Sequence, residues 1–250
     1  MEIRYPCEQD IPGLRKLWKQ AFGDTDEYLD LFFGTAFAPM RSLCVPEGDA
    51  VVAAMYWLDA ECNGKPIAYL YAVATAEASR GRGLCRRLTE QAHRLLRQRG
   101  YAGAILVPAE PGLFIMYEKM GYRTCAAVSQ WQAAAGEPIA LQSLTAAEYA
   151  ARRRALLPSG AVLQEGETLA LLAGMGRFYG GENVLLAAVP DGDFLWVPEL
   201  LGDKAKSPGI VAALGAKTGK FRGPGETLPF AMYCAFDGSP APTYLGFALD

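Results

Sequence analysis

Histidine is almost missing from this sequence: among 250 residues only His93 carries an imidazole. A histidine-based zinc site and a Ser-His or Cys-His nucleophile both depend on that ring, so neither is expected, and no metal is expected with them. His93 falls within the helical pattern TEQAHRLLRQR and reads as a surface or half-buried helix residue. The six cysteines (Cys7, Cys44, Cys62, Cys85, Cys125 and Cys234) show no CxxC spacing. In a chain this large they read as reduced, mostly buried thiols, not as a disulfide framework. Long apolar runs are also absent. None approaches the roughly 20 residues of a membrane helix, and MEIRYPCEQD has charges from its second residue and no apolar stretch of a secretory signal. A soluble, cytoplasmic protein with no membrane partner is expected.

What is present suits a folded enzyme-sized body. Apolar residues make up 51% and charged residues 20%, enough for one large domain or two ordinary ones. The net charge of -3 argues against a surface that embraces nucleic acid, although a local basic patch on an acidic body stays open.

Periodicity orders the first half. EIRYP reads as a short strand, QDIPGLRKLWKQAFG as an amphipathic helix, and a second helix begins near Thr25 or Asp26. SLCVPEGDAVVAAMYWLDAECNGKPIAYLYAVAT reads as an antiparallel meander turned at PEGD and at the Asn-Gly pair of CNGK. A helix (GLCRRLTEQAHRLLRQRG), a buried strand (AGAILVP), a short helix (PGLFIMYEKMG) and a strand (RTCAAVSQWQ) follow. The fold class is therefore α/β (α+β), a mixed, mostly antiparallel central sheet flanked by helices.

The segment SRGRGLCRRL, residues 79–88, stands at the exit of AYLYAVAT and opens a helix. The first four amides of a helix have no internal acceptor, and glycines at 81 and 83 allow close approach, so a phosphate or pyrophosphate fits there. Arg80 and Arg82 add charge-assisted donors. An ordinary turn with solvated charges and a nucleic-acid patch are the competing readings.

VATAEASRGRGLCRRL resembles the acyl-CoA-binding segment of the GNAT superfamily of N-acyltransferases, whose pattern is Arg or Gln, two residues, Gly, one residue, then Gly or Ala. Arg80 and Gly83 match, and Cys85 stands in the last place. LVPAEPGLFIMYEKMGYR is similar to the superfamily's second signature through Tyr117, Gly121 and Tyr122. The resemblance covers residues 1 to about 132. It implies acetyl-CoA as co-substrate, with the pantetheine arm on the backbone of Val73 and Thr75 and the pyrophosphate on amides of Arg80, Gly81, Arg82, Gly83, Leu84 and Cys85. The acceptor amine, of a small molecule or a peptide, would attack the thioester directly, with Tyr117 giving a proton to the departing thiolate.

The general base stays open. Many members place a Glu on the strand before the phosphate loop, whereas this strand offers Tyr69 and Tyr71; Asp59, Glu61, a water relay or a carboxylate from the second half are the alternatives. Glu110 occupies the place where many members hold Asn beside the pantetheine. The second half, after the connector AAAGEPIA, repeats the element order of the first: a capping box at Thr145 and Glu148, two helices including ETLALLAGMGRFYG, a hairpin in VLLAAVPDGDFLWVPELLG, a helix in KSPGIVAALGAKTG and two closing strands in AMYCAFDGSPAPTYLGFALD. Its loop, GDKAKSPGIVAAL, lacks the paired glycines. The expected organisation is an acyl-CoA-binding unit over 1–132 and a degenerate copy over 141–250, distantly similar to the enhanced-intracellular-survival type. Trp57, Trp131, Trp196, Tyr233 and Phe236 are candidate cleft aromatics. The alternative function is an acyl-CoA-binding sensor or scaffold without turnover.

Overall fold

Capping residues and apolar stripes set the helices of the first half. The structure, a computed structural model, describes residues 2–248. Helix α1, Ile11–Phe22, buries Leu14, Leu17 and Trp18 and stops at Gly23, whose φ of 75° is the left-handed conformation that ends a helix. Helix α2, Asp26–Thr35, starts at Thr25, whose hydroxyl accepts the Tyr28 amide. The expected strand EIRYP is not formed. Arg4 makes one bridge with Cys44, and its side chain turns to a two-toothed pair with Asp10 at 2.6 and 2.9 Å while Pro6 ends the extended stretch.

Strands β1 (Ser42–Glu47), β2 (Ala50–Cys62) and β3 (Lys65–Thr75) form the expected meander, with Asn63 and Gly64 both at positive φ in the second turn. Helix α3 (Leu84–Gln98), strand β4 (Gly103–Leu106), helix α4 (Pro111–Glu118) and strand β5 (Arg123–Ala134) follow. His93 is buried, not half-exposed: it lies beside the inner stripe of α3, its Nε2 stands 2.7 Å from the Tyr122 hydroxyl, and burial lowers its pKa to about 4.

The second half contains β6 (Gln142–Leu144), α5 (Ala146–Leu156) behind the Thr145 capping box, α6 (Glu167–Met175), β7 (Arg177–Gly181), β8 (Val184–Asp191), β9 (Phe194–Gly202), α7 (Ser207–Ala213), β10 (Thr218–Pro224) and β11 (Leu228–Ala235). Three expectations differ. The helix expected over ETLALLAGMGRFYG ends at Met175, and RFYGG is a strand. Gly176 ends the helix so close to the Ala188 carbonyl of β8 that a Cβ would stand 2.4 Å from it, and the chain pairs with β8 from Arg177 on. The helix expected over KSPGIVAALGAKTG ends at Ala213, and Thr218 and Gly219 at its expected end open β10, TGKFRGP. The second closing strand is replaced by a single bridge from Tyr244 to Ala161, in a stretch broken by Pro240 and Pro242; its last two residues lie outside the described ones.

All the strands join one 11-stranded sheet in the order β1-β2-β3-β4-β11-β5-β10-β9-β8-β7-β6. Only the β3–β4 and β9–β10 pairs are parallel. The last strand, β11, enters between β4 and β5, antiparallel to both. α1, α2, α5 and α6 cover one face of the sheet; α3 and α4 cover the opposite face in the first half. Among the described residues no helix is long and apolar enough to cross a membrane.

Candidate active site

The parallel pair β3–β4 is short and then opens. Its ladder joins Ile67, Ala68 and Tyr69 to Gly103, Ala104 and Ile105, after which β3 runs on from Leu70 to Thr75 while β4 ends at Leu106. On its other edge β3 keeps pairing with β2 as far as Thr75, but with a bulge that sets Ala72 and Val73 against Met55. Ala72 takes a φ of 47°, a left-handed conformation that costs an L-residue about 1–2 kcal/mol. The β4-facing edge of β3 around Val73 and Thr75 is thereby left without a ladder partner.

Past Thr75 the chain makes a short turn over Glu77–Ser79 and reaches Gly81 and Gly83, at φ of 76° and 71°. Neither glycine has a heavy atom within 4 Å of where a Cβ would sit, so the space in front of the loop is open. Gly83 caps α3 without any side-chain bond. The amides of Leu84 and Cys85 are thus helix donors without an internal acceptor. Arg80 is exposed at the loop. Arg82 is engaged: its guanidinium forms a two-toothed pair with Glu47 of β1 at 2.9 and 3.0 Å and also reaches the Ser79 hydroxyl, bracing the loop against the sheet.

Tyr117, in the last turn of α4, is 6% exposed, and its hydroxyl lies in hydrogen-bonding reach of the Cys85 thiol. Burial, with Cys85 beside it, raises its pKa far above the ordinary value, so the hydroxyl is protonated at neutral pH. The ring is steadied by an edge contact with Tyr122 at 5.6 Å between centroids.

A cavity of about 730 Å³ opens where β3 and β4 part, walled by Tyr71, Val73, Leu106, Glu110 and Tyr117. Its far side comes from Trp18, Asp24 and Tyr28 of the first half and from Met175, Trp196, Phe230 and Ala248 of the second. Of the candidate cleft aromatics, Trp196 lines this cavity. Trp57 is buried in the core beneath α3, Trp131 stacks on Phe221, Phe236 lies under Arg97, and Tyr233 fills the space above Gly103. Asp59 is bound to Arg41 at 3.1 Å and to the Tyr101 hydroxyl at 2.5 Å, and Glu61 pairs through its backbone with Leu163; neither lines the cavity. Two features escaped the sequence reading: Asp24, whose Oδ2 accepts the Trp18 indole N–H at 2.7 Å, and the Tyr28–Tyr71 hydroxyl pair at 2.5 Å.

The acetyltransferase (GNAT) domain family matches residues 2–125. Residues 2–125 are a GNAT domain. No curated protein matches it in sequence. Solved structures similar to it include a GCN5-related N-acetyltransferase from Kribbella flavida, with a TM-score of 0.69 and 19% identity, covering 94% of this chain and 71% of that one. A probable N-acyltransferase from Enterococcus faecalis V583 (TM-score 0.68, 13% identity, 94% and 73% covered) and Eis1 from Mycobacterium abscessus (0.65, 12%, 95% and 74%) are also similar. At these identities the likeness is one of fold, and it runs through both halves of the chain.

Beyond the GNAT domain, the second parallel pair differs from the first. β10 runs so close to β9 that a Cβ on Gly223 would stand 2.5 Å from the Leu200 carbonyl oxygen. Arg222, fully buried, donates to the Pro198 carbonyl at 3.2 Å and the Ala248 carbonyl at 2.9 Å, with Phe230 and Trp196 against its guanidinium.

Proposed function

We propose that this protein is an acyl-CoA-dependent N-acyltransferase that moves an acetyl group from acetyl-CoA to the primary amine of a small molecule or peptide in the cytoplasm. The observation that carries this reading is a convergence. The parted strands β3 and β4 and Tyr117 line one cavity, and Tyr117 reaches Cys85 in the uncapped first turn of α3, behind two open glycines. A pyrophosphate suits the amides of residues 80–85, with Arg80 adding charge. An extended amide-bearing arm suits the unpaired edge at Val73 and Thr75, as an added strand would. The acceptor nitrogen forms its bond to the acetyl carbon as the C–S bond breaks, the thiolate takes the Tyr117 proton, and the proton that the acceptor nitrogen sheds leaves to solvent, from which Tyr117 is reprotonated. Holding both reactants in one cavity supplies the orientation that such a transfer needs.

The second half, residues 141–250, is read as a degenerate copy of the unit in 1–132. β9, α7 and β10 repeat the order and parallel pairing of β3, α3 and β4, yet the crevice is closed by Arg222 and the loop before α7 has no paired glycines. Its contribution is the far wall of the acceptor cavity.

Titration calorimetry with acetyl-CoA, paired with thiol release over a panel of amines, tests the reading. Saturable binding is expected, weakened tenfold or more by Gly83→Val, together with amine-dependent release. Absence of acetyl-CoA uptake by folded protein overturns it, and tight uptake with no release on any amine gives the sensor or scaffold instead.

A further inference from the structure

Attack on a thioester requires an uncharged nitrogen, yet an alkylammonium with a pKa like that of lysine, about 10.4, is protonated at pH 7. Strand β3 has no carboxylate to remove that proton; between Pro66 and Ala74 its polar side chains are Tyr69 and Tyr71. Tyr71 stands past the last β3–β4 pair and next to the bulge residue Ala72, so it meets the cavity where the strands part. Its hydroxyl is 2.5 Å from that of Tyr28, which lines the same cavity from α2. Asp24, two residues before the start of α2, lines it as well.

We propose that Tyr71 and Tyr28 form a two-hydroxyl relay that takes the proton from the acceptor ammonium and passes it toward Asp24, in place of a carboxylate on β3. The inference rests on the transfer reaction proposed above. In the step, an N–H bond of the ammonium breaks and its proton goes to Tyr71 Oη. Tyr71 passes its own hydroxyl proton to Tyr28 Oη, and Tyr28 gives its proton through water to the Asp24 carboxylate and on to solvent. Both hydroxyls end as they began, and the net change is ammonium to amine plus one solvent proton.

The surroundings suit a relay and not a base. Burial raises Tyr28 to about 12 and holds Tyr71 well above its ordinary value, so both remain neutral hydroxyls able to accept and donate together. The titratable groups around the pair are Asp24, Tyr69 on the same strand and Tyr56 on β2, with Glu110 and Tyr117 on the cofactor side of the cavity. Behind the far wall, the buried Arg222 guanidinium lies against Trp196 and Phe230, which line the cavity. Asp24, steadied by the Trp18 indole, also supplies the negative charge that draws an ammonium inward.

Two small nucleophiles separate proton removal from everything else: methylamine, protonated at pH 7, and methoxyamine, already neutral there. With acetyl-CoA as donor, Tyr71→Phe is expected to lower kcat/KM for methylamine tenfold or more at pH 7 and to change that for methoxyamine less than twofold. The methylamine loss should shrink to within about twofold at pH 10, where the free amine is abundant. Tyr28→Phe should show the same pattern, and calorimetric acetyl-CoA affinity should be unchanged in both variants. An equal loss on the two amines, or no loss on either, overturns the relay. A wild type that binds acetyl-CoA but releases thiol with neither amine removes the transfer reaction, and the relay with it.

Discussion

Tyr117 and His93 show how burial assigns roles to single residues. With its pKa held far above neutrality, Tyr117 keeps its proton across the neutral range, and in the proposed transfer it imposes no titration of its own on the rate. Tyr117→Phe should lower kcat by about a hundredfold with acetyl-CoA affinity unchanged, since a positioned acid contributes 10²–10⁴; rapid thiol-release kinetics beside calorimetry would show the split. His93 acts on stability instead. Its folded pKa of about 4 lies below the unfolded value of 6.5, so the unfolded chain binds more protons between these limits. Its contribution is complete above about pH 6.5 and is lost as pH falls toward 4, up to about 3 kcal/mol by linkage. As the single histidine it should leave a signature: melting scans of His93→Gln should lose much of the wild type's decline between pH 6.5 and 4.5. The loop glycines stand out by their spacing before a helix, and Tyr117 by the resemblance of its segment to the second GNAT signature. The grouping of Tyr71 with Tyr28 and Asp24 is not legible in the sequence, because α1, α2 and β3 bring them together only in the folded chain.

At the scale of elements, strong local signals survived and weak ones did not. The meander, α3 and both capped helices were readable because turn chemistry, caps and an apolar stripe agree within each segment. β10 was missed because TGKFRGP places glycines where apolar side chains would alternate, and those glycines are required by the close approach of β9 and β5. β6, with three residues, is below any period. The bulge at Ala72 is an element feature with no sequence signature, yet it shapes the crevice by turning β3 just past its last pair with β4. Ala72→Val should strain this left-handed position, where β-branching is poorly tolerated. The expected outcome is a loss of stability of about 1–2 kcal/mol by denaturant titration and a several-fold weaker acetyl-CoA affinity by calorimetry; a Val variant with unaltered affinity would show that the bulge does not set the crevice.

At the scale of the molecule, the two halves share one sheet, and that sharing was not legible because the element order of each half looks complete by itself. β11 closes the gap between β4 and β5, and β5 then pairs with β10, so neither half holds its edge strands without the other. The carboxy-terminal stretch ties the second half together. The Phe247 amide donates to the Gln164 side chain at 2.9 Å, Tyr244 meets Glu199 at 3.1 Å, and Gly246 has no room for a side chain beside that carboxylate. Glu199 is fully buried, accepts two bonds from Arg153 at 2.6 and 2.9 Å and a third from Tyr149 at 2.8 Å, and so leaves no charge uncompensated. Replacing it by Gln keeps the shape but strands a buried guanidinium, a loss of about 3–5 kcal/mol for a broken buried pair. Because the sheet is continuous, that loss should appear everywhere at once: tryptophan fluorescence and far-ultraviolet circular dichroism should report one coincident urea transition in wild type and one coincident, earlier transition in Glu199→Gln. A variant in which 141–250 melts first while the first half keeps its wild-type midpoint would mean that the β11 ladders and the β5–β10 pair do not couple the halves energetically.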